Sequence, residues 1–503
     1  MSENEKCDLS KTRNMHGRRL ILSSESEITA DNILAVLGKA METHAVNSGE
    51  CNYLWKYRNG DQPILHRVKT GGYENINNQI CENRASEIVD FKVGYYVGEP
   101  IQYTSKKDDD KSLSEMERFN NYFYAVNKAS QDQDIVEWSM ICGTAYRIIL
   151  PIENRAIKTD KPFEMFTLDP RDTFIVRSVE MGHKPLMAVQ YYMDETDTRI
   201  EHFTCYTPDT VYFIENGHIV STEVNKLGTI PIIEYPANNA RLGAFEIVLP
   251  LLDALNNIDS NRMDGIEQTI QAFIKFINCE IDSEQFDEFK AKGAIMVKSV
   301  DGQSADVDVV TTDLDQNQTQ TAKEDIYEAI LEICGMPSRT GGASTSDTGA
   351  AVILRDGYAL AESRAKVFEN MFKRSEMEMI EIARYICNNT DGVEAISLKP
   401  WEIETKFTRR NYENIESKAA VLDRMLNNPK VHPVLAFQTC GLFTDPEAAY
   451  TLSDEYYEEM MEKYAEPVEV AEDEESLRTD RQIAEAAEAD NRKRISEANQ
   501  PGV

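Results

Sequence analysis

Ala244-Phe-Glu-Ile-Val-Leu-Pro-Leu-Leu-Asp-Ala-Leu-Asn-Asn-Ile-Asp-Ser-Asn-Arg-Met-Asp-Gly-Ile-Glu-Gln-Thr-Ile-Gln-Ala-Phe-Ile-Lys-Phe-Ile-Asn-Cys279 is the stretch that decides the fold. Val248, Leu251, Leu252, Leu255, Ile258, Ile266, Ile270, Phe273 and Ile277 follow the three-and-four spacing of one helix face. Asp253, Asp259, Arg262, Asp264 and Glu267 lie off that stripe, and Pro250 falls where it can kink the first turns. At about 1.5 Å per residue the helix is roughly 50 Å long. Its stripe must pack on something along that whole length.

Working outward, 280–317 reads as a small insert, with strand candidates at 294–300 and 307–310. A second amphipathic helix follows at 322–334, carrying Ile326, Ile330, Leu331 and Cys334 and stopping at Gly335-Met336-Pro337. After a Gly/Ser/Thr stretch at 338–349, a third long helix covers 350–388, with Gly357 marking an early bend. Two long helices joined by a small insert make a hairpin. A hairpin of that length is not compact alone, so it is expected to pack against copies of itself, and head-to-tail packing closes into rings.

Upstream, residues 1–28 are polar and expected to be loosely ordered. Asp31 caps a helix carrying Ile33, Leu34, Val36, Leu37 and Met41. The aromatic segment 51–60 closes on a turn at Asn59-Gly60. Residues 75–97 read as a helix, 101–104 as a strand, and 113–127 and 134–141 as helices. Between 142 and 235 short alternating runs dominate, at 145–150, 163–168, 173–177, 186–193, 201–206 and 210–214. The domain closes at Ile230-Pro-Ile-Ile-Glu-Tyr-Pro236. Downstream come an amphipathic strand at 396–407 and helices at 415–426, 433–439 and 445–464. The fold class is α+β.

The 503 residues are 41% hydrophobic and 28% charged, with a mean hydropathy of −0.47. That composition supports a folded core. No apolar run approaches the ~20 residues of a membrane span. The polar beginning carries no secretory pattern, so no membrane partner is expected. The formal net charge is −34, which argues against a protein that grips nucleic acid over its whole surface. It does not exclude a protein that lets nucleic acid pass without sticking, since an acidic wall repels phosphates and the repulsion decays over about 8 Å in physiological salt. Residues 454–490 hold 15 acidic and 3 basic residues and read as solvated helix or disorder.

The nine cysteines are odd in number and widely spaced, without CxxC, so reduced thiols are expected rather than a disulfide framework or zinc ribbon. Phosphate-loop, dinucleotide-binding, HExxH and GxSxG motifs are missing. No two of the seven histidines stand at ligand spacing. Asp306-Val-Asp308 with Asp313 and Asp315 lacks the Gly and Glu of a calcium loop and reads better as a half-exposed strand. Neither a cofactor nor an enzymatic activity is expected.

Val93-Gly-Tyr-Tyr-Val-Gly-Glu-Pro-Ile101, Gly228-Thr-Ile-Pro-Ile-Ile233, the helix 245–277 and Phe407-Thr-Arg-Arg410, in this order and spacing, resemble the portal proteins of tailed bacteriophages, in the branch typified by the Bacillus phage SPP1 portal. The resemblance runs over roughly residues 50–460 and rests on the order of elements as well as on motifs. It implies a homo-oligomeric ring, typically dodecameric, at one capsid vertex, with host cytoplasm the place of assembly. It maps an N-terminal segment 1–49, wing 50–243, stem helices 244–279 and 322–335, clip 280–321, tunnel loop 336–349, long wing helix 350–395, crown 396–464 and acidic tail 465–503.

The implied partners are double-stranded DNA in the channel, terminase large subunit docking on the clip, head-completion (connector) proteins replacing it, and the major capsid and scaffolding proteins. The loop residues Arg339, Thr340, Gly341, Gly342, Ser344, Thr345 and Ser346 are candidates for light contact with DNA, the alternative being a hinge without DNA contact. Lys290, Lys292 and Lys298 could face terminase or DNA, against an ordinary solvated face. A structural adaptor ring without DNA passage is the rival function.

Overall fold

The computed structural model describes residues 17–69, 76–107, 109–152, 161–194, 200–270, 273–277, 306–310, 316–337, 358–409, 415–443 and 446–465. The chain divides into two compact units, Met1–Tyr412 and Glu413–Val503.

In the first unit a six-stranded sheet has the order β1-β5-β6-β7-β8-β9. These strands are β1 (Ile21–Ser23), β5 (Thr173–Ser178), β6 (Pro185–Asp194), β7 (Ile200–Tyr206), β8 (Thr210–Glu215) and β9 (His218–Val224). The last five form an antiparallel meander. β1 lies parallel to β5, with Ile21 opposite Val176. Residues 21–23 are thus ordered, against the expectation for 1–28. Arg18 just before them ion-pairs with buried Glu246 at 2.5 Å, and Ile21 enters the core. β9 lacks a clear apolar alternation and is almost wholly exposed, so it left no signal.

The sheet's apolar face packs on the first half of α1 (Ile33–Arg58), where Ile33, Val36, Leu37 and Ala40 meet Phe174, Val176, Met187 and Phe203. The aromatic segment expected as a separate piece is the continuation of this 26-residue helix. Its middle is polar, but His44 and Asn47 are buried there and keep the helical spacing. His44 Nε2 meets the Arg171 carbonyl at 2.9 Å, and Asn47 pairs with both backbone groups of Arg19. The second half, with Tyr53, Leu54 and Tyr57, enters the larger core.

That core gathers α2 (Arg84–Val97), α3 (Asp110–Ala125), α4 (Lys128–Cys142) and a sheet of order β10-β3-β4, from β10 (Ile232–Pro236), β3 (Thr144–Pro151) and β4 (Phe163–Leu168). Asp109 caps α3 by accepting from the Ser112 N–H at 3.1 Å. Gly143 turns α4 into β3 at φ +79°, where a Cβ would stand 2.0 Å from the Arg241 carbonyl oxygen. Only glycine meets both demands. The closing segment 230–236 contains strand β10, with Tyr235 opposite Ala145.

Of the strand expected over 396–407 only β13 (Ile403–Lys406) forms, pairing with β2 (Gln102–Ser105). Pro400, which has no N–H, starts a 3-10 turn before it.

The long helices are α5 (Leu249–Ile270), α6 (Gln316–Cys334) and α7 (Tyr358–Asn388). The helix expected over 244–279 ends at Ile270, and Phe273–Ile277 is strand β11. Phe273, Ile274, Phe276 and Ile277 fit a helical stripe as well as a strand, and these residue types favour the strand once a partner is present. The partner is β12 (Asp306–Val310), antiparallel, with Phe273 opposite Val310 and Ile277 opposite Asp306. The candidate strand at 294–300 and the bend at Gly357 lie outside the described residues.

The second unit holds α8 (Ile415–Leu426), α9 (Pro433–Cys440) and α10 (Pro446–Ala465). Ala436, Phe437 and Cys440 of α9 are buried, and Phe437 stacks on Phe443 with ring centroids 5.2 Å apart. α10 exposes Leu452, Tyr456, Tyr457 and Met461.

Candidate functional site

α5 and α6 run antiparallel, joined through the β11–β12 ribbon. Cys334 Sγ donates to the Ala244 carbonyl at 3.6 Å at one end of the pair. Further along, Lys323 Nζ donates to Asp259 at 2.9 Å and Arg262 to Gln320 Oε1 at 2.8 Å. Apolar burial on α5 runs through Leu249, Leu252 and Leu255 and meets Ile330, Leu331 and Cys334 of α6. Past Leu255 the buried residues of α5, among those described, are Asn256, Ser260 and Asp264, all polar.

These three explain why residues 76–83, expected as the start of a helix, are not helical. The Asn78 N–H donates to Asp264 Oδ1 at 2.7 Å, the Ile80 N–H to Ser260 Oγ at 3.0 Å, and the Glu82 N–H to Asn256 Oδ1 at 2.9 Å. Alternate residues of the strap thus meet every fourth residue of the helix. The periods match because two extended residues advance ~6.6 Å and four helical residues ~6 Å. With its N–H groups taken by α5, the strap has no need of a helix, and α2 begins only at Arg84.

Asp264 is the hub of this arrangement. Arg67 Nη2 reaches its Oδ2 at 2.7 Å, Lys69 touches the same oxygen, and Asn78 Nδ2 donates to Oδ1 at 2.9 Å. Burial pushes the carboxyl up, but the donors from Lys69, Asn78 and Arg67 outweigh it and hold it down at about 2. α6 clamps the far end of the strap. Lys323 lies 3.4 Å from Glu82, and the Arg84 guanidinium stacks 4.3 Å above the Tyr327 ring, whose hydroxyl donates to Glu87.

The ends of the hairpin present the segments marked out in the sequence. α6 stops as expected. Gly335, at φ +68°, lets its own N–H reach the Glu332 carbonyl at 3.0 Å and the Met336 N–H the Leu331 carbonyl at 2.8 Å. Met336 is buried behind them and Pro337 follows. Arg339, Thr340, Gly341, Gly342, Ser344, Thr345 and Ser346 lie beyond that stop, outside the described residues. Lys290, Lys292 and Lys298, between the two strands of the ribbon, also lie outside them. Asp306 and Asp308 sit in β12. Among the described residues no group of three or more His, Cys, Asp or Glu side chains could hold a metal ion, and no helix is long and apolar enough to cross a membrane.

α7 is seated differently. Glu376, at mid-helix and fully buried, receives Arg147 at 3.1 Å, Lys128 at 3.0 Å, and the hydroxyls of Tyr235 at 2.8 Å and Tyr103 at 2.5 Å. Asp132 completes the set, meeting Lys128 at 2.8 Å and Arg147 at 2.5 Å. Two cations face two carboxylates. Burial pushes the Glu376 carboxyl up, but Lys128 and Arg147 prevail and hold it below its ordinary value. One residue earlier, Ser375 Oγ donates to the Glu234 carbonyl at 2.7 Å, fastening α7 to β10.

The described residues form an α+β body carrying two antiparallel helices linked through a β-ribbon, followed by a long helix. The model of the phage portal protein family, SPP1 Gp6-like, matches residues 42–474, and the chain belongs to that family of structural phage proteins. No curated protein matches the chain.

The match takes in the hairpin, the strap and α7 alike. Sequence reasoning had set Asp264 off the apolar stripe without giving it a task. The signal that could have found the site is the polar repeat Asn256, Ser260, Asp264, at a strict spacing of four.

Proposed function

We propose that the chain assembles into a closed ring, dodecameric as in its family, at one vertex of a phage capsid. Double-stranded DNA is packaged through the bore by terminase and later leaves by the same path. The carrying observation is the family match over 42–474, which spans the whole hairpin. The hairpin adds physical support: Ile258 and Ile266, on the apolar stripe of α5, remain only partly covered in the single chain, as neighbour packing requires. The formal charge of −34 suits a channel that must not hold its cargo.

In this reading 280–321 is the clip on which terminase and then head-completion proteins dock, with Lys290, Lys292 and Lys298 on its surface. The loop 336–349 lines the narrow part of the channel. Arg339 and the hydroxyls of Thr340, Ser344, Thr345 and Ser346 touch phosphates lightly, with Gly341 and Gly342 letting the backbone come close. Capsid and scaffolding proteins meet the outer parts of the ring.

The test is a pair of measurements. Electron microscopy of the purified ring should show an axial hole wide enough for a duplex, whereas a plugged ring would favour an adaptor without DNA passage. Arg339→Glu should change packaging or DNA retention and leave ring assembly intact. Unchanged packaging and retention would remove the loop from this role.

A further inference from the structure

Of the four buried Lys and Arg side chains among the described residues, Arg18, Lys128 and Arg147 face carboxylates. Lys92 does not. It projects from α2 with 8% of its surface exposed, and its Nζ lies 5.9 Å from the centroid of the Tyr96 ring. Burial pushes its ammonium below the ordinary value, Cys334 works against that shift, and the Arg364 cation adds to it. An amine so placed is costly unless something supplies the missing charge.

Lys92 opens into a cleft of about 390 Å³ between α2, the end of α6 and the first turns of α7. Arg364 lies on the same cleft, and no carboxylate ion-pairs with it among the described residues. Ile247, Ile333, Leu360 and Val367 also line it. All four are exposed, Val367 to 67%. Two cations with no carboxylate partner among the described residues, ringed by aliphatic side chains, have the composition of an interface centre, where apolar neighbours exclude water from a charged contact. A phosphate backbone or a free phosphate would gain nothing from four aliphatic neighbours.

We infer that this cleft is a socket for an Asp or Glu side chain of the neighbouring copy of this chain. Each copy carries 87 acidic residues against 53 basic ones, so its surface offers the complementary charge. In a head-to-tail ring every subunit presents one socket and one inserting carboxylate, which is how a heterologous contact closes on itself. This inference rests on the ring reading and adds to it the residues that hold neighbours together.

The test uses full-length protein. Chains labelled with nitrogen-15 are mixed with unlabelled chains, assembled, and treated with a water-soluble carbodiimide. The reagent joins the Lys92 amine to a contacting carboxylate as an amide and carries off the water as its urea. Lys92 peptides joined to acidic peptides of the other isotope are expected. Same-isotope links alone, or no Lys92 link in intact rings, would overturn the socket while leaving the ring reading in place. Absence of rings from the unmodified chain would overturn both.

Two variants give a second readout. Lys92→Met and Arg364→Glu should each raise the concentration at which rings dissociate by about ten-fold or more. Lys92→Met should at the same time leave the monomer's melting temperature unchanged or raised, because it removes an uncompensated buried charge. Arg364 is exposed, so its variant keeps the fold. Ring dissociation unchanged in both variants would contradict the inference.

Discussion

The seats of α7 and α5 solve the same problem by different means. Each helix brings a carboxylate into the body of the molecule. Around Glu376 the answer is a closed set of side chains, all buried, with two cations balancing two carboxylates and two tyrosine hydroxyls filling the remaining lone pairs. Around Asp264 the answer is a strap of chain whose backbone N–H groups and flanking cations come to the helix from one side. The first arrangement fails as a unit when one member is lost. The second is a ladder whose rungs can be removed singly. Rigid mounting of a long helix against the α+β body and stepwise tethering of a hairpin are therefore distinct properties of one chain.

That contrast is open to measurement, beginning with the largest effect. Glu376→Gln leaves Arg147 and Lys128 with one carboxylate between them, and should cost about 3–5 kcal/mol in denaturant unfolding. A loss below about 1 kcal/mol would mean the set is not closed. Asp264→Asn removes the charge that Arg67 and Lys69 address but keeps a hydrogen-bond acceptor, and should cost about 2–3 kcal/mol. Ser260→Ala orphans only the Ile80 N–H and should cost about 1 kcal/mol, read as faster amide exchange confined to residues 78–82. Exchange spreading over the whole unit would contradict the ladder. Smallest of all, Lys366→Ala removes an exposed i,i+4 partner of Glu362 and should shift stability by no more than about 0.5 kcal/mol.

Acid separates the strap from its surroundings. The folded Asp264 carboxyl sits at about 2, below its ordinary 3.8. Its contribution is therefore complete above the ordinary value and lost as pH falls through the folded one. Stability of the native chain should decline between pH 3.8 and about 2 more steeply than that of Asp264→Asn, measured by unfolding at fixed denaturant. Parallel slopes would show that the carboxyl is not held down.

The elements legible in the sequence were those whose period comes from apolar residues near one another in the chain. The hairpin order, the stop of α6 at Gly335 and the strands between 144 and 215 belong to that class. The strap at 76–83 was not legible, because its conformation is decided by Asn256, Ser260 and Asp264, far along the chain. The switch from α5 to β11 was hidden because Phe273, Ile274, Phe276 and Ile277 satisfy two periods and only pairing with β12 chooses. α1 looked like two pieces because its middle is buried through His44 and Asn47 rather than through apolar side chains. Of the site, the polar repeat on α5 could be read from spacing alone, whereas the partners of Glu376 could not, since Lys128, Arg147, Tyr235 and Tyr103 come from four separate elements.

Electron cryo-microscopy of the purified full-length chain decides whether this is a ring subunit. A conduit requires particles of closed cyclic symmetry, many times the 57.1 kDa of one chain, with the α5–α6 hairpins of adjacent copies packed side by side around an open axial hole. A well-folded 57.1 kDa monomer under every solution condition, or a ring whose centre is closed by protein, would contradict it.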